Sequence, residues 1–291
     1  MKLIAIDLDG TLLSHKMEIT EENLGAIREA QNQGNIVMIC SGRAPEDIQQ
    51  ILNKYDLSIP LAGSNGSVVQ AYGRVLQSVS MNREDIIETA EKLDKNKFPY
   101  RIYTNSGIYI PADWSERVEL AMKQKQIKVE GLSDEIYQKI TEQPQKSSLI
   151  NFFDHYSELF NKEELTIQKF FVLTLNASSK TALASSLEGI STIGITSSSP
   201  LNIEVMDQHG NKGSALKKVA EHYNIPLQDT VAIGDNFNDI PMLEVAGLSV
   251  AMGNAEPQVK AVCDVVTHSN DENGVAYAIK NYVLTTIQAK Q

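Results

Sequence analysis

Residues 1–15 read MKLIAIDLDGTLLSH. Leu3 to Ile6 is continuously apolar, as a strand buried on both faces of a sheet must be. It leads into Asp7 and Asp9, with Leu8 between them and the turn pair Gly10 and Thr11 after. Like charges that close repel, so either a cation belongs beside them or the two carboxyls do different work.

Working outward, a helix is expected from about Glu21 to Gln33, with Thr20 as N-cap, Ile19 and Leu24 as a hydrophobic staple, and Gly34 to end it. NIVMIC (35–40) is a second unbroken apolar strand. SGRAPEDIQQILNKY (41–55) then opens a helix in which Pro45 suits the first turn and Ile48, Ile51, Leu52 and Tyr55 form the inward stripe. This βαβα order predicts a parallel sheet with helices on both faces. The same grammar returns late in the chain. KGSALKKVAEHY (212–223) is helical, and strands TVAIGD, LSVAM and DVVTH alternate with helices near Met242 and Val259 and from about Gly274.

The middle differs in character. REDIIETAEKL is helical, YRIYTNSGIYI is a hairpin turning at Asn105 to Gly107, and WSERVELAMKQ is helical. IQKFFVLTLN is a strand, SKTALASSLEG a helix, and IGIT and LNIEVM are strands. The expected architecture is therefore an α/β, Rossmann-like parallel-sheet core made of residues 1–81 and 207–291, interrupted by an α+β domain with an antiparallel sheet over 82–206.

The 291 residues suit two domains, since roughly 150 residues make one. With 42% hydrophobic and 22% charged residues the chain has ample core material. The 26 basic and 37 acidic residues give a net charge of −11, which argues against nucleic acid or an anionic membrane as partner. A small anionic ligand needs only local positive potential and remains open. Cys40 and Cys263 lack metal-ligand spacing and read as reduced thiols. Without a signal-like start or a long apolar run, a cytoplasmic location is expected.

In an open parallel sheet the ligand site lies at the carboxyl ends of the strands. Asp7 and Asp9 follow the first strand, Ser41 and Gly42 the second, and Asp235, Asn236, Asn238 and Asp239 follow TVAIG, while Lys212 opens a helix after DQHGN. Carboxylates, a hydroxyl with backbone amides, and one lysine match a site for a divalent cation and a phosphate. Mg²⁺ suits two carboxylates, a backbone carbonyl and a phosphate oxygen, and it answers the repulsion between the aspartates.

DLDGTLL, SGR, NKG and GDNFNDIPML, in that order, resemble the four motifs of the haloacid dehalogenase superfamily of phosphohydrolases. The insertion between the second and third resembles the C2-type cap of its Cof-like branch, as do the stretches SNGSVV and THSNDENGVAYAI. The resemblance implies that Asp7 is the nucleophile and a metal ligand. Asp9 is then the general acid and later the base, with its backbone carbonyl on Mg²⁺. Ser41, the amide of Gly42 and the backbone of Leu8 hold the transferring phosphoryl group, and Lys212 neutralises it and restrains Asp7. Asp235 ligates the metal, Asn238 touches phosphate, and Asp239 orients Lys212 or metal-bound water.

The resemblance implies a Mg²⁺-dependent phosphatase of a small phosphorylated metabolite, sugar phosphates first, working through an aspartyl-phosphate with the cap over the leaving group. Phosphorylated pyridoxal, flavin precursors and nucleotides follow as substrates. A phosphomutase-type transferase and a non-catalytic phospho-receiver are the rival readings, and the oligomeric state is unassigned. Arg43 reads as a substrate contact or a structural ion pair, Asn65-Gly66 first as a turn and second as a pair facing the site, Glu204 as a pocket residue or a structural one, and Trp114 as cap interior or surface. The five histidines form no ligand cluster.

Overall fold

The computed structural model describes residues 1–123, 142, 144, 145, 147 and 149–284. The chain forms two compact units, Met1–Ser78 with Gly210–Gln291, and Val79–His209.

The first unit begins with β1 (Leu3–Ile6), all four residues buried, and α1 (Glu21–Asn32). The Thr20 hydroxyl accepts from the Asn23 amide at 3.2 Å, and Ile19 and Leu24 are buried across that cap. Next come β2 (Ile36–Cys40), α2 (Pro45–Lys54) with proline in its first turn, and β3 (Leu61–Gly63). Two strands that the apolar pattern did not announce follow: β4 (Val68–Ala71) and β5 (Arg74–Ser78) pair antiparallel onto the edge.

The second unit contains α3 (Arg83–Lys95), β6 (Tyr100–Thr104), β7 (Gly107–Pro111), α4 (Trp114–Lys123), β8 (Ile150–Phe153), β9 (Ile167–Leu173), α5 (Ala177–Leu187), β10 (Ile193–Thr196) and β11 (Asn202–Asp207). Gln124, the last residue of the expected fourth helix, lies outside the described residues. The sheet order is β10-β11-β9-β6-β7-β8. It departs from the expected antiparallel sheet at one edge, where β8 pairs parallel to β7. Tyr100, Phe170, Val172, Ile203 and Val205 pack one sheet face against Ala90 and Leu93 of α3 and Leu183 and Leu187 of α5. Trp114 is fully buried on the other face with Ile108, Ile110 and Leu173.

The chain then returns to the first unit with α6 (Lys212–His222), β12 (Thr230–Gly234), α7 (Ile240–Val245), β13 (Leu248–Ala251), α8 (Pro257–Val262), β14 (Val265–Val266) and α9 (Gly274–Ala278). The full sheet order is β14-β13-β12-β1-β2-β3-β4-β5, parallel from β14 through β3. One continuous core of Leu3, Ile4, Ile6, Ile27, Ile39, Leu216, Ile233 and Val250 fills the space between sheet and helices. Both cysteines are free. No helix among the described residues is long and apolar enough to cross a membrane.

Candidate active site

The site follows from strand register. β1 and β12 are parallel neighbours with Ile6 opposite Ile233, so the residues that leave their carboxyl ends emerge side by side. Asp7 continues the ladder by one bond, its amide donating to the Ile233 carbonyl at 3.0 Å. Asp235 leaves β12 one residue later than Asp7 leaves β1. The loop after β1 closes tightly, with the amides of Leu12 and Leu13 donating back to the carbonyls of Asp7 and Leu8. Gly10 makes that closure possible: its φ is +80°, and a Cβ there would stand 2.5 Å from Asp235 Oδ2. Thr11 then donates its hydroxyl to Asp235 Oδ1 at 2.7 Å.

Asp239 folds back beneath this edge. Its Oδ2 accepts from the amides of Asp235 and Asn236 at 2.8 and 2.9 Å. Lys212, at the start of α6, is completely buried and donates from Nζ to Asp7 Oδ1 at 2.5 Å and to Asp239 Oδ1 at 2.6 Å. The helix start that aims it is fixed by Asn211, whose Oδ1 accepts from the Ser214 amide at 2.9 Å.

Asp7, Asp235 and Asp239 each place a carboxylate oxygen within 4.8 Å of the others, with one ammonium among them. The electrostatics follow. Burial, then Asp239, hold the Asp7 carboxyl well above the usual carboxylate range. Burial and Asp239 likewise push Asp235 up to about 7. Burial alone would lower the Lys212 pKa, but Asp239 and Asp7 outweigh it and keep the ammonium charged. A cluster that prefers to keep a proton is one that a divalent cation would relieve. The donor set fits Mg²⁺: both oxygens of Asp239 already accept hydrogen bonds, which leaves Asp7 and Asp235 as the carboxylates of the cluster that could hold it.

The other predicted residues are placed as follows. Leu8 and Ser41 are buried, and Gly42 follows Ser41 at the end of β2. The Ser41 amide donates to the Ala62 carbonyl, and its hydroxyl accepts from the Arg43 amide at 3.2 Å. Asn238 is buried and donates from Nδ2 to Asn65 Oδ1 at 3.2 Å. Asp9 stands apart from the buried trio. Its side chain is 47% exposed and takes both arms of Arg43, Nε to Oδ2 at 2.8 Å and Nη2 to Oδ1 at 2.5 Å. Arg43 therefore forms an ion pair within the loop cluster. Glu204 is buried in the second unit, where it pairs with Lys169 and accepts from the Ser198 hydroxyl at 2.5 Å.

Thr11 was missed as a site residue by sequence reasoning, and Asn65 was ranked as one only behind its reading as a turn. The hydroxyl directly after DG was the available signal for Thr11. Asn65 ranked second because its own dipeptide signals a turn first.

The profile of the haloacid dehalogenase-like hydrolase family matches residues 4–279. Phosphatase YwpJ of Bacillus subtilis is 33% identical over 97% of this chain and 99% of its own length. The 5-amino-6-(5-phospho-D-ribitylamino)uracil phosphatase YwtE of the same organism is 34% identical over 96% of this chain and 97% of its own. A solved haloacid dehalogenase-like hydrolase from B. subtilis superposes with a TM-score of 0.84 at 31% identity, covering 97% of this chain and all of that one.

Proposed function

This chain belongs to the haloacid dehalogenase-like hydrolases, and from that premise we propose that it is a Mg²⁺-dependent phosphatase of small phosphomonoesters that works through an aspartyl-phosphate. The observation that carries the reading is the buried Lys212 ammonium shared between Asp7 and Asp239, with Asp235 beside them at the ends of two adjacent strands.

In the first step a carboxylate oxygen of Asp7 attacks phosphorus, the bond from phosphorus to the leaving oxygen breaks, and Asp9 gives that oxygen its proton. In the second, Asp9 takes a proton from water as the water oxygen bonds to phosphorus, and the bond to Asp7 breaks. Lys212 fixes Asp7 in place and offsets charge at the phosphoryl group. Ser41, the amide of Gly42, the backbone of Leu8 and Asn238 hold the phosphoryl oxygens. Asp239 keeps Lys212 and the end of β12 in register. When bound by Asp7, Asp235 and the Asp9 carbonyl, Mg²⁺ supplies the positive charge that lets an anionic nucleophile approach an anionic phosphate.

The leaving group we assign is a sugar or sugar alcohol. YwtE, similar over its whole length, is named for a substrate in which phosphate sits on a ribityl chain. The 79–209 unit is the part of the chain that would choose among such groups, acting as the cap. The product alcohol and phosphate are small and soluble, in keeping with a partner that is neither nucleic acid nor membrane.

Release of inorganic phosphate from a panel of phosphorylated sugars, ribityl compounds, pyridoxal and nucleotides, with Mg²⁺ and with EDTA, tests this reading. Hydrolysis of a sugar or ribityl phosphate that stops reversibly with EDTA is the expected result. No phosphate release from any member overturns the reading, and transfer of phosphate to an added sugar instead of water makes the protein a phosphotransferase.

A further inference from the structure

The turn Ser64–Gly66 joins β3 to β4. Ser64 and Asn65 both have left-handed backbones, with φ of 51° and 60°, and Gly66 follows at 102°. That backbone costs a residue such as serine about 1–2 kcal/mol and asparagine less, so Ser64 in particular stays there because its surroundings impose it. Here the surroundings are the loops of the candidate site. The Ser64 amide donates to the Arg43 carbonyl at 2.7 Å and the Asn65 amide to the Ser41 carbonyl at 2.9 Å. Gly66 lies so close to the Asn211 carbonyl, at the start of the helix that Lys212 opens, that any Cβ would collide with it. The Asn65 side chain is buried and accepts from Asn238 Nδ2. One turn is thus fastened to the three separate stretches that carry Ser41, Lys212 and Asn238.

We propose that Asn65 is a positioning residue for phosphoryl binding: its carboxamide oxygen engages one N–H of Asn238 so that the other is presented to the phosphate. A primary amide carries two N–H donors at one end and an acceptor oxygen at the other. Left unrestrained, Asn238 would present the oxygen as readily as the nitrogen, and an oxygen facing a phosphate repels it. The bond to Asn65 removes that choice. The left-handed backbone is the means by which the chain brings the Asn65 carboxamide to Asn238 while its own amide stays on Ser41. A turn that merely reversed the chain would use glycine equally well at position 65.

The assignment rests on the phosphatase reading above. Its test is steady-state hydrolysis of a phosphomonoester, with inhibition by inorganic phosphate as a second readout, for Asn65→Gly, Asn65→Ala, Asn238→Ala and the double variant Asn65→Gly/Asn238→Ala. Glycine keeps the left-handed backbone and deletes the carboxamide, whereas alanine deletes the carboxamide and strains the backbone. The expected result is a drop of about tenfold in kcat/KM and a matching weakening of phosphate inhibition for Asn65→Gly, the size of one lost hydrogen bond to an anion. The double variant should fall within about twofold of Asn238→Ala, because the two residues act as one. Wild-type kinetics for Asn65→Gly overturn the proposal, with loss confined to Asn65→Ala assigning the turn to backbone alone. Full additivity in the double variant overturns it as well. A wild-type protein that hydrolyses no phosphomonoester removes the phosphatase reading and this assignment together, whereas an active wild type with an indifferent Asn65→Gly removes only the latter.

Discussion

Asp7 and Asp9 stand two positions apart and end in opposite environments. Asp7 is buried against Lys212, and Asp9 is half exposed on Arg43. In the reaction proposed above, this separation would let one carboxyl stay fixed while the other carries a proton. Asp9→Asn keeps the shape but removes the charge that pairs with Arg43, a half-exposed ion pair worth about 1 kcal/mol or less, so it is expected to fold with a Tm no more than about 4 °C below wild type. Its steady-state turnover should fall by at least about a hundredfold, the usual worth of a general acid and base. Near-normal turnover in a phosphate-release assay sinks that role. Lys212→Met has the reverse profile. It removes the ammonium from between two buried carboxylates, which costs about 3–5 kcal/mol for a broken buried pair. Because Asp7 is held above the usual range in the folded state, the loss should be smaller at acid pH, where the carboxyls take protons, and larger at alkaline pH. Thermal unfolding across that range checks it, and a pH-independent Tm difference contradicts it.

At the scale of elements, the strands that carry the site were legible because parallel strands covered on both faces leave a plain signature. LIAI and IVMIC are unbroken apolar runs and TVAIG is one after its opening threonine, and each is followed at once by the polar residues of a loop. Pairing is what a single chain does not display. That β8 would lie parallel to β7, or that β4 and β5 would extend the core sheet, depends on edges whose preferences are weak and local. The Lys169–Glu204 pair was hidden for the same reason. Glu204 stands opposite Phe171, two residues along β9 from Lys169, so the two charges meet only once β9 and β11 are neighbours. Lys169 also lies 4.5 Å from the Tyr103 ring centroid. Glu204→Ala should destabilise the second unit by about 3–5 kcal/mol by leaving a buried ammonium without its carboxylate. Replacing both residues with apolar ones of similar volume should recover most of that loss. Calorimetry of the single and double variants decides it, and an unchanged unfolding profile for Glu204→Ala rules the pair out as a structural element.

Across the whole molecule, a net charge of −11 leaves the acidic site without general electrostatic help, so the local balance around Lys212 must carry its own charge. In the absence of a cation that balance is unfavourable. Asp235 titrates near 7 in the folded chain against about 4 when unfolded, so the folded state holds a proton that the unfolded chain has released over this interval. Stability from this group is complete below about pH 4 and is lost as pH rises through about 7. A divalent cation that takes the place of the proton should therefore raise the Tm more at about pH 8 than at about pH 5.5, since at the lower pH it must displace a bound proton first. Thermal shifts with Mg²⁺ and with EDTA at the two pH values measure this directly. Asp235→Asn should shrink both the Mg²⁺ shift and its pH difference, by removing one of the two buried carboxyls that hold a proton and one of the two carboxylates proposed to hold the cation. A Mg²⁺ shift that is equal at both pH values, or that is undiminished in Asp235→Asn, would place the cation elsewhere than between Asp7 and Asp235.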